Sequence, residues 1–167
     1  MKRTGFTLIE LLIVMAIIAA LMAVLIPTAT GAMRKATATR IAVQLRNLQQ
    51  GVEQYILATL PKETAIPTGG KNLEDDGDFE ASGFVDQTFL GRAKSQNGLK
   101  IQLSRVDSIP KKITMKIEFD TNNQPIALLV KGSLVETYGE AQSENEDGVR
   151  LVGSKVIIRR TIEAFWW

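Results

Sequence analysis

One stretch of this sequence constrains everything else. Residues 11–26 are apolar at every position, and no charged residue stands between Glu10 and Arg34. Residues 11–33 are long enough to cross about 30 Å of hydrocarbon as a helix. Glu10 stands at the front edge of this stretch, and a carboxylate at mid-membrane depth costs about 2.5–3.5 kcal/mol on insertion scales. A cost of that size marks a function. Ala16, Ala19, Ala20 and Ala23 are small enough to let neighbouring helices approach closely.

Neither ordinary use of such a stretch fits it cleanly. A secretory signal has an apolar region of about 7–15 residues closed by a small-residue cleavage site, and here the run is longer and no such site ends it. For a plain anchor, Arg34, Lys35 and Arg40 outnumber Lys2 and Arg3, which by the positive-inside rule places the N-terminus outside.

Charge and composition exclude several function classes. The chain has 167 residues, room for one domain and an extension, and a formal charge of +2. Lys2 and Arg3 supply both units, so the chain without them is formally neutral, unlike the basic surface of a nucleic-acid binder. The local basic excess is Arg34, Lys35, Arg40 and Arg46 against Glu53. With no cysteine and no histidine, the chain has no disulfide framework, thiolate or imidazole metal ligand, and no Ser-His or Cys-His nucleophile pair. No phosphate loop and no convincing carboxylate pair stands in for them, so the expectation is a protein that is not an enzyme and carries no cofactor.

The run Gly5-Phe6-Thr7-Leu8-Ile9-Glu10-Leu11-Leu12-Ile13-Val14-Met15-Ala16-Ile17-Ile18 resembles the N-terminus of type IV pilins and the pseudopilins of type II secretion. The resemblance covers about the first third of the chain, with the helix that follows. It implies a class III leader, cut between Gly5 and Phe6 by a prepilin peptidase that then methylates the new N-terminus at Phe6. It also implies that the leader lies in the cytoplasm, against the charge rule. Gly5 suits the cut, because a residue without Cβ lets an extended backbone enter a tight cleft. Cleavage creates an amine with a pKa of about 7.7–8.0, and in the family reading Phe6 of one subunit meets Glu10 of a neighbour and sets register. Thr7-Leu8-Ile9-Glu10 also fits the S/T-x-x-E capping box, a purely local role for Glu10. The two roles can follow one another, capping in the membrane and pairing in the filament.

Pro27 falls within the helical pattern, where it removes a backbone hydrogen bond, and Gly31 costs the helix about a further 0.8–1.0 kcal/mol relative to Ala. Together they mark a weak point, readable as a simple kink or a functional hinge. Beyond Arg34, Ile41, Leu45, Leu48, Val52 and Tyr55 or Ile56 recur at helical spacing, with Gln44, Arg46, Gln49, Gln50, Glu53 and Gln54 largely off the stripe. The stripe is expected to pack on a sheet. Gly51 weakens the helix without ending it, and Pro61 ends it.

Pro61 to Lys94 reads as loop, punctuated by Pro67, Gly69, Gly70, Gly77, Gly83 and Gly91. Its acidic cluster around Gly77 is a solvated loop by default, with Asp75, Asp76 and Asp78 as a calcium candidate whose spacing misses the EF-hand pattern. Leu99, Ile101 and Leu103, then Ile113, Met115, Ile117 and Phe119, alternate with polar residues as strands do. Asp120 to Pro125 is turn chemistry, after which residues 126–130 are expected to return as a partner strand. Residues 138–148 read as an exposed acidic loop, and Gly153-Ser154 suits a type II′ hairpin between residues 149–152 and 155–158. The terminal Phe165-Trp166-Trp167 either packs under the sheet or against the helix, or forms an exposed contact patch.

The reading is an α+β pilin fold: a long N-terminal helix over about residues 6–60, packed by its C-terminal half on an antiparallel sheet. Its expected organisation is a leader at 1–5, an apolar helix at 6–33 and a head at 34–167, in which 34–60 is amphipathic helix, 61–94 loop and 99–163 sheet. The resemblance implies a structural subunit of a pilus-like filament, or a pseudopilin of a secretion or DNA-uptake system. A single-pass anchored binding domain that never polymerises is the alternative of another class. The implied partners are like subunits, the prepilin peptidase, a membrane assembly platform and, before assembly, lipid. The implied location is the cytoplasmic membrane, then an extracellular filament or a periplasmic or wall-spanning pseudopilus. Adhesion, motility and secretion all share this N-terminus, and Glu10 argues against a tip-initiating pseudopilin.

Overall fold

A computed structural model describes residues 6–108 and 110–167. The chain divides into two compact units, one ending at Ala36 and the other comprising Thr37–Trp167. Helix α1, Leu8–Thr59, contributes to both.

In the first unit α1 is the one element among the described residues. Its apolar side chains, from Leu8 through Ile26 to Met33, are all exposed. Its start is fixed locally: the Thr7 backbone N–H and hydroxyl both donate to Glu10 Oε2, at 2.8 and 2.6 Å, and the Glu10 N–H donates back to Thr7 Oγ1 at 3.4 Å. This is the reciprocal capping box that the sequence pattern suggests.

In the second unit the same helix is built into a core. Leu45, Val52 and Ile56 are fully buried, Leu48, Ala42 and Ala38 nearly so, and Ile41 and Tyr55 pack at the margin. The expected stripe is the buried face. Gln49 is a correction: it is only 2% exposed, and its Oε1 accepts the Tyr138 hydroxyl at 2.8 Å. Gly51 is buried, and a Cβ there would lie 2.4 Å from the Phe84 carbonyl oxygen, so glycine leaves the room in which the chain at Phe84 passes the helix. The helix stops where Leu60 turns to a φ of +41° and Pro61 follows.

The sheet has five antiparallel strands in the order β1-β2-β3-β5-β4. They are β1 Lys71–Asn72, β2 Lys100–Val106, β3 Lys112–Asp120, β4 Gly148–Val152 and β5 Lys155–Glu163. The inward set of alternating residues, Ile101 and Leu103 on β2, Ile113, Met115, Ile117 and Phe119 on β3, and Val156 and Ile158 on β5, is buried throughout. The longest pairing, β3 with β5, runs in register from Lys112↔Glu163 to Asp120↔Lys155. Gly153 sits at φ +62° while Ser154 does not, the combination that a type II′ hairpin requires.

Two expectations are corrected. Residues 126–130 are not a strand; they lie in helix α4, Gln124–Tyr138. The turn at Asp120 to Asn123 forms, but it opens a helix: Asn123 Oδ1 accepts the Ile126 N–H at 3.2 Å and Pro125 occupies the first turn. Ala127, Val130 and Leu134, buried at helical spacing, pack it on the core. The fifth strand comes instead from the supposed loop of residues 61–94, as β1. That loop also holds helix α2, Gly77–Ala81, and the start of α3, Gln87–Asn97. Each begins on an aspartate: Asp76 accepts the N–H of Asp78 and Phe79, and Asp86 those of Thr88 and Phe89. Phe79, fully buried, meets Tyr55 edge-on at 5.2 Å.

The C-terminal aromatics divide the two readings between them. The indole N–H groups of Trp166 and Trp167 both donate to the Pro61 carbonyl, at 3.0 and 2.6 Å. Phe165 stacks edge-on to Trp166 at 5.0 Å and remains 78% exposed. With no disulfide available, the last strand is held by its pairing with β3 and β4 and by this latch on the residues just after α1.

Candidate functional site

The feature that needs a functional account is the first unit, because it violates the economy of a water-soluble fold. Leaving one large aliphatic side chain in water rather than burying it forgoes about 1.5–3 kcal/mol, and here Leu8, Ile9, Leu11, Leu12, Ile13 and the apolar residues after them all stay exposed. This helix is long and apolar enough to cross a membrane, and none of its most apolar window is buried.

Glu10 is positioned at the start of this surface, closed on Thr7 by the capping box. The structure thus displays the local role of Glu10. In this arrangement one carboxylate oxygen, Oε2, is satisfied within its own turn, which lowers the penalty of holding it in an apolar setting. Phe6, the residue expected to become the N-terminus after cleavage, is 90% exposed ahead of the helix. Gly5, the other half of the expected cleavage junction, lies outside the described residues.

Pro27 and Gly31 both lie inside an unbroken helix. Sequence reasoning missed the residues that support it there. The Thr28 hydroxyl donates to the carbonyls of Val24 and Leu25, at 3.2 and 2.9 Å, and the Thr30 hydroxyl to that of Pro27, at 3.0 Å. Hydroxyl back-bonding of this kind bends helices and hides the polar group from oil. The signal was present as threonines one and three residues beyond a proline. A Cβ at Gly31 would meet nothing within 4 Å, so no contact in the chain demands glycine there.

The acidic stretch of the head is distributed by the fold. Asp76 caps α2 and pairs with Lys71 at 2.5 Å; Asp75 and Glu80 share Lys94, at 3.2 and 2.8 Å; Asp78 faces solvent. The Lys71 ammonium, then the N–H groups of Phe79 and Asp78, hold the Asp76 carboxyl below its usual range against the opposing effect of burial. Glu80, and after it Asp75, raise Lys94. Among the described residues no three carboxylates stand together as a metal site. A surface hollow of about 300 Å³ beside these residues is lined by Gly77, Glu80, Ala81, Gln87, Leu90 and Gly91, a set with one carboxylate and no nucleophile.

Comparison with known proteins adds one finding. Residues 1–26 match the model of the prokaryotic N-terminal methylation motif. No curated protein and no solved structure matches the chain. The described part of the matched segment, residues 6–26, is the exposed start of the chain's long helix and contains Glu10. The chain therefore carries, on an α+β head, the class III N-terminal signal that is the hallmark of type IV pilins and pseudopilins.

Proposed function

We propose that the chain is a structural subunit of a type IV pilus-like filament, stored in the cytoplasmic membrane, cut between Gly5 and Phe6, methylated at Phe6 and polymerised through the first half of α1. The observation that carries this reading is the coincidence of the methylation motif with an apolar helix that has no burial of its own. The motif implies processing by a prepilin peptidase, and the helix fits a membrane-anchored precursor.

In this mechanism lipid is the first environment of the helix and a bundle of like helices the second. Moving from one to the other leaves the apolar surface covered throughout, so the choice between them falls to polar groups and packing. Cleavage supplies the polar group that was missing, a positive amine at Phe6. Two unit charges 4 Å apart attract by about 4 kcal/mol at an effective dielectric of 20, and desolvation takes much of that back. The Phe6 amine and the neighbour's Glu10 thus set register more than they add net affinity. Glu10 exchanges its Thr7 partners for this amine, and an uncut chain has no amine in that place to offer.

A pseudopilin of a secretion or DNA-uptake machine uses the same N-terminus. The missing cysteines favour it slightly, since many pilins close their C-terminal region with a disulfide. Mass spectrometry of the N-terminal peptide, from sheared surface material and from membranes, tests both. A peptide beginning at methylated Phe6 in sheared material is the expected result for an exported pilus. The same peptide confined to membranes moves the assignment to a pseudopilin or minor subunit. An intact leader in both fractions overturns the filament reading and leaves an anchored domain.

A further inference from the structure

An antiparallel sheet exposes unpaired N–H and C=O groups along its two outer strands, and such edges accept strands from other molecules. In this head each edge strand is shorter than the strand it pairs with. β1 covers only Leu103 and Gln102 of β2, and β4 reaches along β5 only as far as Arg159. The bare remainder is closed by the same device at both edges. Beyond β1, the Leu73 N–H donates to the Ile101 carbonyl at 2.8 Å, the chain turns away, and the next residue's carboxylate, Glu74 Oε2, accepts the Ile101 N–H at 2.8 Å. Before β4, Asp147 sends Oδ2 to the Thr161 N–H at 2.9 Å and Oδ1 to the Thr161 hydroxyl at 2.8 Å.

We propose that Glu74 and Asp147 are edge-closing residues, which stand where the carbonyl of an added strand would bond and so keep the sheets of neighbouring copies from joining. Three observations support this. Glu74 is 6% exposed and makes no salt bridge among the described residues, so its burial there is matched to a backbone donor and not to a cation. Further groups along both edges are also engaged: the Pro67 carbonyl accepts the Arg105 N–H at 3.3 Å, and the Gly139 carbonyl and Ala141 N–H serve both backbone groups of Val149, at 2.9 and 3.1 Å. Finally, a carboxylate on a backbone N–H makes a charge-assisted bond stronger than the carbonyl bond it replaces, so an incoming strand gains nothing by displacing it. The inference stands whether the chain forms a filament or remains an anchored domain.

The test uses the full chain in detergent at fewer than one chain per micelle, with amide hydrogen exchange and light scattering as readouts. Glu74→Met keeps the length of the side chain and removes the acceptor; Asp147→Ala removes the other, from a side chain already 48% exposed. In Glu74→Met the Ile101 amide is expected to exchange at least about tenfold faster, with Ile117 unchanged and the molecular mass rising with concentration. Asp147→Ala is expected to do the same at Thr161. Glu74→Gln, which retains an acceptor oxygen, should keep both protection and monomeric mass. Unchanged Ile101 and Thr161 amides, or freed amides in chains that stay monomeric, overturn the proposal. Should Glu74→Met fail to fold, Asp147→Ala carries the test at the other edge.

Discussion

The two stretches of α1 share a backbone geometry and little else. Up to Ala36 the helix buries no side chain, whereas from Ala38 to Ile56 it supplies the central stripe of a core. Within the first stretch residues 11–26 are apolar all round, the second is apolar along one face, and that pattern decides what cover each requires. A one-faced helix is completed by its own head. The apolar residues 11–26 take no cover from the described residues. Helicity alone therefore says nothing about where a segment's stability comes from.

Paired substitutions break this comparison most directly. Leu45→Ala, at a fully buried site, should cost the head about 2–5 kcal/mol. Leu21→Ala, the same change at a 63% exposed site, should leave head stability within about 0.5 kcal/mol. Urea unfolding of the full chain in detergent, followed by tryptophan emission, reads both. Equal effects would mean that the two stretches are not independently supported.

The two glycines sharpen the point with opposite signs. Gly51→Ala pushes a methyl against the Phe84 carbonyl, which sits at 2.4 Å from the position it would take, and should destabilise the head by about 1–3 kcal/mol. Gly31→Ala meets open space and should strengthen the helix by about 0.8–1.0 kcal/mol, seen as slower amide exchange at residues 28–32. A stabilising Gly51→Ala would show that the segment before α3 yields without cost.

The smallest effect is electrostatic. Because Lys71 keeps the Asp76 carboxyl below its unfolded value, this pair stabilises the head above the ordinary carboxylate pKa of about 3.9. The contribution fades as pH falls through the lower folded value. Lys71 is 43% exposed, so solvent screening holds the gain to about 1 kcal/mol or less. The drop in urea midpoint between pH 6 and pH 3 should be shallower in Asp76→Asn. An identical drop would assign the acid sensitivity to other carboxylates.

What was legible in the sequence follows the range of the forces involved. The apolar run, the capping box and the alternation of Ile113 to Phe119 depend on neighbours in sequence, and each appears where the pattern places it. The strand expected at residues 126–130 failed because the apolar run was cut at Val130; carried on to Leu134, it has the spacing of α4, and Asn123 with Pro125 already announced a helix start. Asp75, Asp76 and Asp78 looked like one cluster because they are adjacent in sequence, whereas capping and lysine pairing send them different ways. Gln49 is polar and buried because Tyr138, a residue 89 positions away, comes to meet it. Gly51 needs Phe84, and Glu74 needs Ile101. No local pattern encodes such distant partners.

The strand order also has a consequence in time. β5 lies between β3 and β4, so the earlier-synthesised β4 has no place in the sheet until residues 155–163 exist. The tie from Trp166 to Pro61 spans 105 residues, and closures of such separation come late in folding. A head arranged this way cannot assemble in stages as it emerges. β4 and the free side of β3 wait for residues 155–163, so the sheet closes through the strand that comes last of the five in sequence.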